Sequence, residues 1–284
     1  FQAGRIWKVS VDGGSQVEIA SMSHPRGMSW GDDGYIYYAP SYATGISRML
    51  DSGAGSVEAI TAVDTMTTER THRWPCALPG GRGVIFTSEG SESPGDYEDA
   101  DILLWDASTG SVRPLGVNGA MARYVATGHL LVSTFTGTVL ISTNNNMSYN
   151  MLGSLPGSTG PAAIAFDTNY ATNYTIYAGS SLNFRVWRWQ VGTSTSWTQI
   201  DSKDLPGYGI SDLATSGGML FVTGTNNIDS RCRWTSNPAA MSPLWYMVNP
   251  PNCAGKVFDD LRIRQNKLWA IDINNARLYS SIFM

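Results

Sequence analysis

Three stretches decide the reading of this chain: Val139-Leu-Ile-Ser-Thr-Asn-Asn-Asn-Met-Ser-Tyr149, Val186-Trp-Arg-Trp-Gln-Val-Gly-Thr-Ser-Thr-Ser-Trp197 and Arg231-Cys-Arg-Trp-Thr-Ser-Asn-Pro-Ala-Ala-Met-Ser-Pro-Leu-Trp245. Each is a strand-like run, a Ser/Thr/Asn-rich connection and an aromatic residue. The aromatics Tyr149, Trp197 and Trp245 follow one another at 48 residues. After each comes a short strand, a Gly- or Pro-containing loop, an apolar run (PAAIAFD, ISDLATS, FDDLRIR) and a strand of buried character (TIYAGS, MLFVTG, KLWAID). Four strands in about 48 residues is the size of one propeller blade.

The rest of the chain keeps that rhythm. Strand-like segments alternate with period 2 at Arg5–Val11, Gln16–Ala20, Tyr35–Ala39, Gly83–Ser88, Ile102–Asp106, His129–Thr134, Thr175–Gly179, Met219–Thr223, Lys267–Asp272 and Arg277–Ser281. They are rich in Ile, Val, Tyr, Trp and Thr and bounded by Gly, Asn, Asp or Pro. Runs with helical spacing are absent. The turns GDDG, PGGRG and ATGH supply the residues that adopt positive φ in tight hairpins. The expected fold is an all-β propeller in a single domain, residues 1–284. Its 284 residues divide into six blades of four antiparallel strands, with seven as the alternative. Strands from both termini are expected to close it, which removes free sheet edges.

Two resemblances accompany this reading. IWKVSVDGG (6–14), SWGDDGYIYYAPS (29–41), THRWPCALPGGRGVIFTS (71–88) and ARYVATGHLLVS (122–133) resemble TolB-like propellers, so the half up to about residue 140 is TolB-like. Residues of about 139–280 resemble the Asp-box propellers of the sialidase and sortilin type. There Ser142-x-Asn144-x-Asn146-x-Ser148-Tyr149 keeps the outline of Ser-x-Asp-x-Gly-x-Thr-Trp, and the later copies keep the terminal Trp. In such families the Asp-box is a structural turn. The resemblance implies a fold far more than an activity.

Composition narrows the classes. Charged residues make up 15% of the chain, against roughly 25% in an average soluble protein. The net charge of −4 speaks against a nucleic-acid partner bound through phosphate neutralisation. No apolar run approaches the roughly 20 residues of a membrane span. Surface polarity carried by Ser, Thr and Asn suggests a secreted, extracellular or cell-surface protein with a processed N-terminus. Sequons at Asn146 and Asn173 are glycosylation candidates. Cys232 and Cys253, 21 residues apart, are a disulfide candidate, whereas Cys76 reads as a small buried side chain.

The chemistry-bearing residues are few. The acidic loop with Glu92, Asp96, Glu98, Asp99 and Asp101 offers hard oxygen ligands for Ca²⁺, with a solvated insertion as the plain alternative. No other cofactor is expected. Arg26, Arg70, Arg73 and Arg123 stand near strand starts, and Arg73 and Arg123 are the ligand-binding candidates among them. Trp187 and Trp189, at i and i+2, share one strand face and are the candidates for an exposed ligand-binding pair, while the other tryptophans are expected between blades. His24, His72 and His129 are read as structural, and no Gly-x-Ser-x-Gly elbow supports a serine hydrolase. No catalytic residue is assigned. The reading is a non-enzymatic binding or structural module of a surface or envelope assembly, with protein partners or self-assembly. A sialidase- or glycosidase-like enzyme, or a glycan-binding lectin, is the alternative.

Overall fold

A computed structural model describes residues 5–8, 17–90, 97, 99–158, 160–201, 207–248, 257–264, 267–272 and 277–282. Strands dominate them. A hairpin of β1 (Arg5–Lys8) and β2 (Val17–Ser21) comes first. Five four-stranded antiparallel sheets follow, each built in chain order as a meander. They are β3 (Met28–Trp30), β4 (Tyr35–Tyr38), β5 (Ser47–Leu50), β6 (Glu58–Ala59); then β7 (Glu69–Ala77), β8 (Gly83–Gly90), β9 (Asp101–Asp106), β10 (Val112–Asn118); then β11 (Met121–Tyr124), β12 (Leu130–Ser133), β13 (Thr138–Ser142), β14 (Asn150–Ser154). The last two are β15 (Ala163–Phe166), β16 (Thr175–Gly179), β17 (Val186–Gln190), β18 (Thr198–Gln199), and β19 (Gly209–Ser216), β20 (Met219–Thr225), β21 (Ser230–Thr235), β22 (Tyr246–Val248). A three-stranded sheet, β23 (Phe258–Arg264), β24 (Lys267–Asp272) and β25 (Arg277–Ile282), ends the chain.

This is a β-propeller, and it corrects the expected blade number. The expectation of six or seven four-stranded blades gives way to five. Dividing length by 48 assumed that every repeat completes four strands. The N-terminal hairpin instead forms its own two-stranded sheet, and the last sheet stops at three. Strand β1 runs beside β25 without joining it in a sheet among the described residues. The chain clusters into two compact units, Phe1–Ala122 with Arg264–Met284, and Arg123–Ile263.

Within each unit, side-chain alternation explains the low charge. On β4, Ile36 and Tyr38 enter a core cluster with Ile6, Ile19, Met22, Met28 and Met49. Tyr37, between them, enters a different cluster with Ala39, Ile46, Val84, Phe86 and Trp105. One strand thus feeds two cores, because successive side chains leave opposite faces and both faces are covered. In the second unit, Tyr177, Phe184 and Val186 pack with Ile210, Leu213, Leu220 and Val222 in the same manner.

Hydrogen bonds between neighbouring sheets repeat at the blade spacing. Ser29 Oγ accepts the Ala77 amide at 3.0 Å and Asp32 Oδ1 the Gly80 amide at 2.8 Å, both 48 residues away. The repeat aromatics act likewise. Trp197 Nε1 donates to the Gly153 carbonyl at 3.3 Å, and Trp245 Nε1 to the Ile200 carbonyl at 3.0 Å. Tyr149 differs: its hydroxyl stays inside its own loop, donating to Asn146 Oδ1.

Candidate functional site

The first unit holds an open cleft of about 780 Å³ where β7, β8, β9 and β10 meet the turn at Thr67–Thr68. Glu69, Ser88, Asp99 and Asp101 supply its polar wall, and Leu103 and Pro114 part of its apolar one. Register brings these together. His72 lies opposite Ser88, and a shift in the β7–β8 ladder between Glu69 and Thr71 re-aims Glu69.

Glu69 is the most tightly held carboxylate. Its Oε1 accepts from Ser88 Oγ at 2.5 Å and lies 2.8 Å from His72 Nε2, while Oε2 accepts from the Asp64 amide at 2.6 Å. Burial alone would raise its pKa. The bonds from His72, the Asp64 amide and Ser88 outweigh that and hold the carboxyl at about 2. An ionised Glu69 requires His72 to carry its proton on Nε2. His72 Nδ1 then accepts from Thr61 Oγ1 at 2.7 Å, and Thr61 Oγ1 accepts from the Ile46 amide at 2.7 Å. Thr61, His72 and Glu69 thus stand in the order nucleophile, base, acid. Thr61, however, is buried and lies off the cleft wall, so the relay fastens strands instead of exposing a nucleophile.

Asp101 shifts the other way. Burial, then the nearby charges of Asp99 and Glu69, push its pKa up. Asn118 Nδ2 donates to Asp101 Oδ1 at 3.2 Å. Of the calcium candidates, Asp99 and Asp101 are exposed on this cleft, while Glu92, Asp96 and Glu98 lie outside the described residues. Among the described residues no group of three or more His, Cys, Asp or Glu side chains is arranged to hold a metal ion.

The ligand-binding arginines are engaged internally. Arg73 is buried, 2.9 Å from Glu89 Oε2, and donates to the Tyr97 hydroxyl. In the second unit Arg123 Nη2 pairs with Asp212 Oδ1 at 3.0 Å, and Asp212 Oδ2 accepts the Leu261 amide at 2.7 Å. Asp212 has no exposed surface. A third pair escaped the sequence reading: Arg233 and Asp201, both buried, with the guanidinium 4.1 Å from the Phe184 ring centroid and 5.0 Å from that of Trp245. The signal for Asp212 stood in ISDLATS, where it is the one charged residue of its strand.

Trp187 and Trp189 do share a face, as i and i+2 require, but they are buried, which corrects the expected exposed pair. Trp189 packs on Trp197 at 5.3 Å between ring centroids, and among the described residues the Trp187 Nε1 hydrogen has no partner. Val186, on the other face of β17, is buried as well, so alternation does not mark an exposed side here. Cys76 and Cys232 are buried, with Cys232 Sγ 3.5 Å from Thr223 Oγ1; Cys253 lies outside the described residues. Asn146 is half-buried at φ +68°. Asn173 is half-buried with both ends of its amide engaged, donating to Asp167 Oδ1 at 2.8 Å and accepting the Thr175 amide at 2.9 Å. His129 Nδ1 lies 2.7 Å from the Tyr170 hydroxyl.

Known structures resemble this chain in fold. Virginiamycin B lyase from Staphylococcus aureus is 11% identical over 96% of this chain and 93% of its own, with a TM-score of 0.67. A chain of the nidogen/laminin complex is 12% identical over 84% and 86%, with a TM-score of 0.62. The chain is a β-propeller. A GH74 xyloglucanase from Xanthomonas campestris is 15% identical over 98% of this chain but only 45% of its own, with a TM-score of 0.66. No protein-family model and no curated protein matches the sequence. Among the described residues no helix is long and apolar enough to cross a membrane.

Proposed function

We propose that this propeller is a non-enzymatic, extracellular binding module that takes protein partners, or copies of itself, in a cell-surface or envelope assembly. The observation that carries this is the commitment of the arginines. Arg73 and Arg123, the side chains placed to recognise a ligand carboxylate, are spent on Glu89 and Asp212. A sialidase-type site needs such arginines available to its substrate. The propeller of the nidogen/laminin complex, found in a protein assembly, supports the same reading by analogy of fold. The test is a panel of sialosides and common glycosides alongside light scattering across a concentration series. Robust turnover would overturn the binding reading, and concentration-dependent assembly would support it.

A glycosidase reading rests on one observation. Glu69 and Asp101 line one cleft with pKa values pushed in opposite directions, the pattern that separates a base from an acid. Turnover that is lost in both Glu69→Gln and Asp101→Asn would favour it. Three further assignments belong to the proposal. Calcium at Glu92, Asp96, Glu98, Asp99 and Asp101 is expected to raise the melting temperature at millimolar concentration. A Cys232–Cys253 bond and glycans at Asn146 and Asn173 are read by intact mass before and after reduction and deglycosylation.

A further inference from the structure

Two sets of described methionines stand at the extremes of exposure, with half-buried Met219 and Met247, 39% exposed, between them. Met22, Met28, Met49 and Met121 are 3–7% exposed, and the first three pack with Ile36 and Tyr38 in one core cluster. Met66, Met147, Met151 and Met241 are 91%, 85%, 72% and 94% exposed. Burial of apolar surface accounts for the first set. It does not account for the second.

Met66 lies in the one-turn helix at Thr65–Thr67 that precedes β7. Met147 and Met241 each stand in the connection between the third and fourth strands of a blade, two residues before Tyr149 and four before Trp245. Met151 is on β14, the outermost strand of its sheet. None of the four belongs to the hydrophobic clusters that bind sheets together. The bonds that do the fastening there, such as Trp245 Nε1 to the Ile200 carbonyl, do not involve the thioethers.

We propose that Met66, Met147, Met151 and Met241 are sites of methionine oxidation, whose oxidising substrate is hydrogen peroxide. A thioether lone pair attacks one peroxide oxygen. The O–O bond breaks, the S–O bond forms, and the departing hydroxide takes the remaining proton to leave as water. Sulfur is oxidised by two electrons and the peroxide is reduced. Susceptibility follows exposure, and a sulfoxide in a core disrupts packing whereas one on the surface does not. The exposed set therefore consumes peroxide while the fold is kept, and converts four apolar surface points into polar ones.

The experiment is a hydrogen peroxide time course on the whole chain, with peptide mass mapping and thermal melts on the same samples. The four exposed methionines are expected to gain one oxygen at least about tenfold faster than Met22, Met28 and Met49. The melting temperature should hold through those four additions and fall only as the buried set reacts. Replacing all four (Met66→Leu, Met147→Leu, Met151→Leu, Met241→Leu) should abolish the fast phase. Comparable rates in the two sets, or a melting temperature that falls with the first additions, would overturn the assignment. The wild-type mapping decides the matter even where the quadruple variant fails to fold.

Discussion

Asp212→Ala tests whether the arginine read from sequence as a ligand contact is an internal fastening. Asp212 is fully buried and serves two partners, Arg123 at 3.0 Å and the Leu261 amide at 2.7 Å. Removing the carboxylate leaves a guanidinium that is only 12% exposed without this counter-charge, and breaks the bond to a buried N–H. Losing one member of a buried pair costs about 3–5 kcal/mol, and a buried N–H left unsatisfied about 1–3 kcal/mol. The two overlap, because the site relaxes once, so about 4 kcal/mol is expected in all. For a chain of this size that is roughly a 10 °C fall in melting temperature. Asp212→Asn keeps an acceptor for Leu261 and loses the charge, so it should fall between wild type and alanine. Calorimetry and urea titration measure both variants. If alanine melts within about 2 °C of wild type, the pair is not fastening these strands and Arg123 returns as a ligand candidate.

Other outcomes follow from the same geometry. Glu69 has its carboxyl held at about 2 in the folded chain, against 4.5 as its ordinary value. Its contribution is therefore complete above about pH 4.5 and is lost as pH falls from there toward 2, with about 2–3 kcal/mol at stake. Urea titrations at pH 3 and pH 6 should show roughly half of that difference in wild type and a smaller one in Glu69→Gln. Trp245→Phe keeps the ring and deletes the bond to the Ile200 carbonyl, so chemical denaturation should report a loss of about 1 kcal/mol. Gly45→Ala points a methyl group at the Thr61 carbonyl, which is backbone and does not swing aside; expression yield and melting should both drop. A wild-type-like Gly45→Ala protein would show that the Thr61–His72 loop moves freely.

The strand pattern was legible because it is local. Thr175–Gly179 and Lys267–Asp272 appear at the bounds read from alternation, and most others shift by one or two residues. Turn chemistry was legible for the same reason: in GDDG, Gly34 takes φ +85° and Asp33 Oδ1 accepts the Tyr35 amide. Blade number was not, since the strand count at the chain ends depends on pairings that no local run encodes. Site geometry was least legible. Arg123 and Asp212 are 89 residues apart, on strands of two sheets that are separated in the chain by a third. No alternation rule reaches across a stack. Alternation also misplaced Trp187 and Trp189, because it shows that they share a face and not that the face is buried.

What does cross the stack is the repeat itself. Leu261 reaches back to Asp212 and Thr215 to the Phe166 carbonyl at 49 residues, Ala77 to Ser29 at 48, Trp245 to Ile200 at 45 and Trp197 to Gly153 at 44. In each of these a group of one sheet satisfies a group of the sheet one repeat before it. The aromatic spacing visible in the sequence is therefore the trace of a hydrogen-bonding requirement. A blade that buries both faces must hand its unpaired polar atoms to its neighbours, because water does not reach them. The charged residues obey the same constraint. In a chain with so few of them, a buried arginine is matched by a buried carboxylate from a neighbouring strand or sheet, as Arg73 and Arg233 are. Charges left over for a ligand must then stand where sheets end, and the cleft wall at Asp99 and Asp101 is such a place.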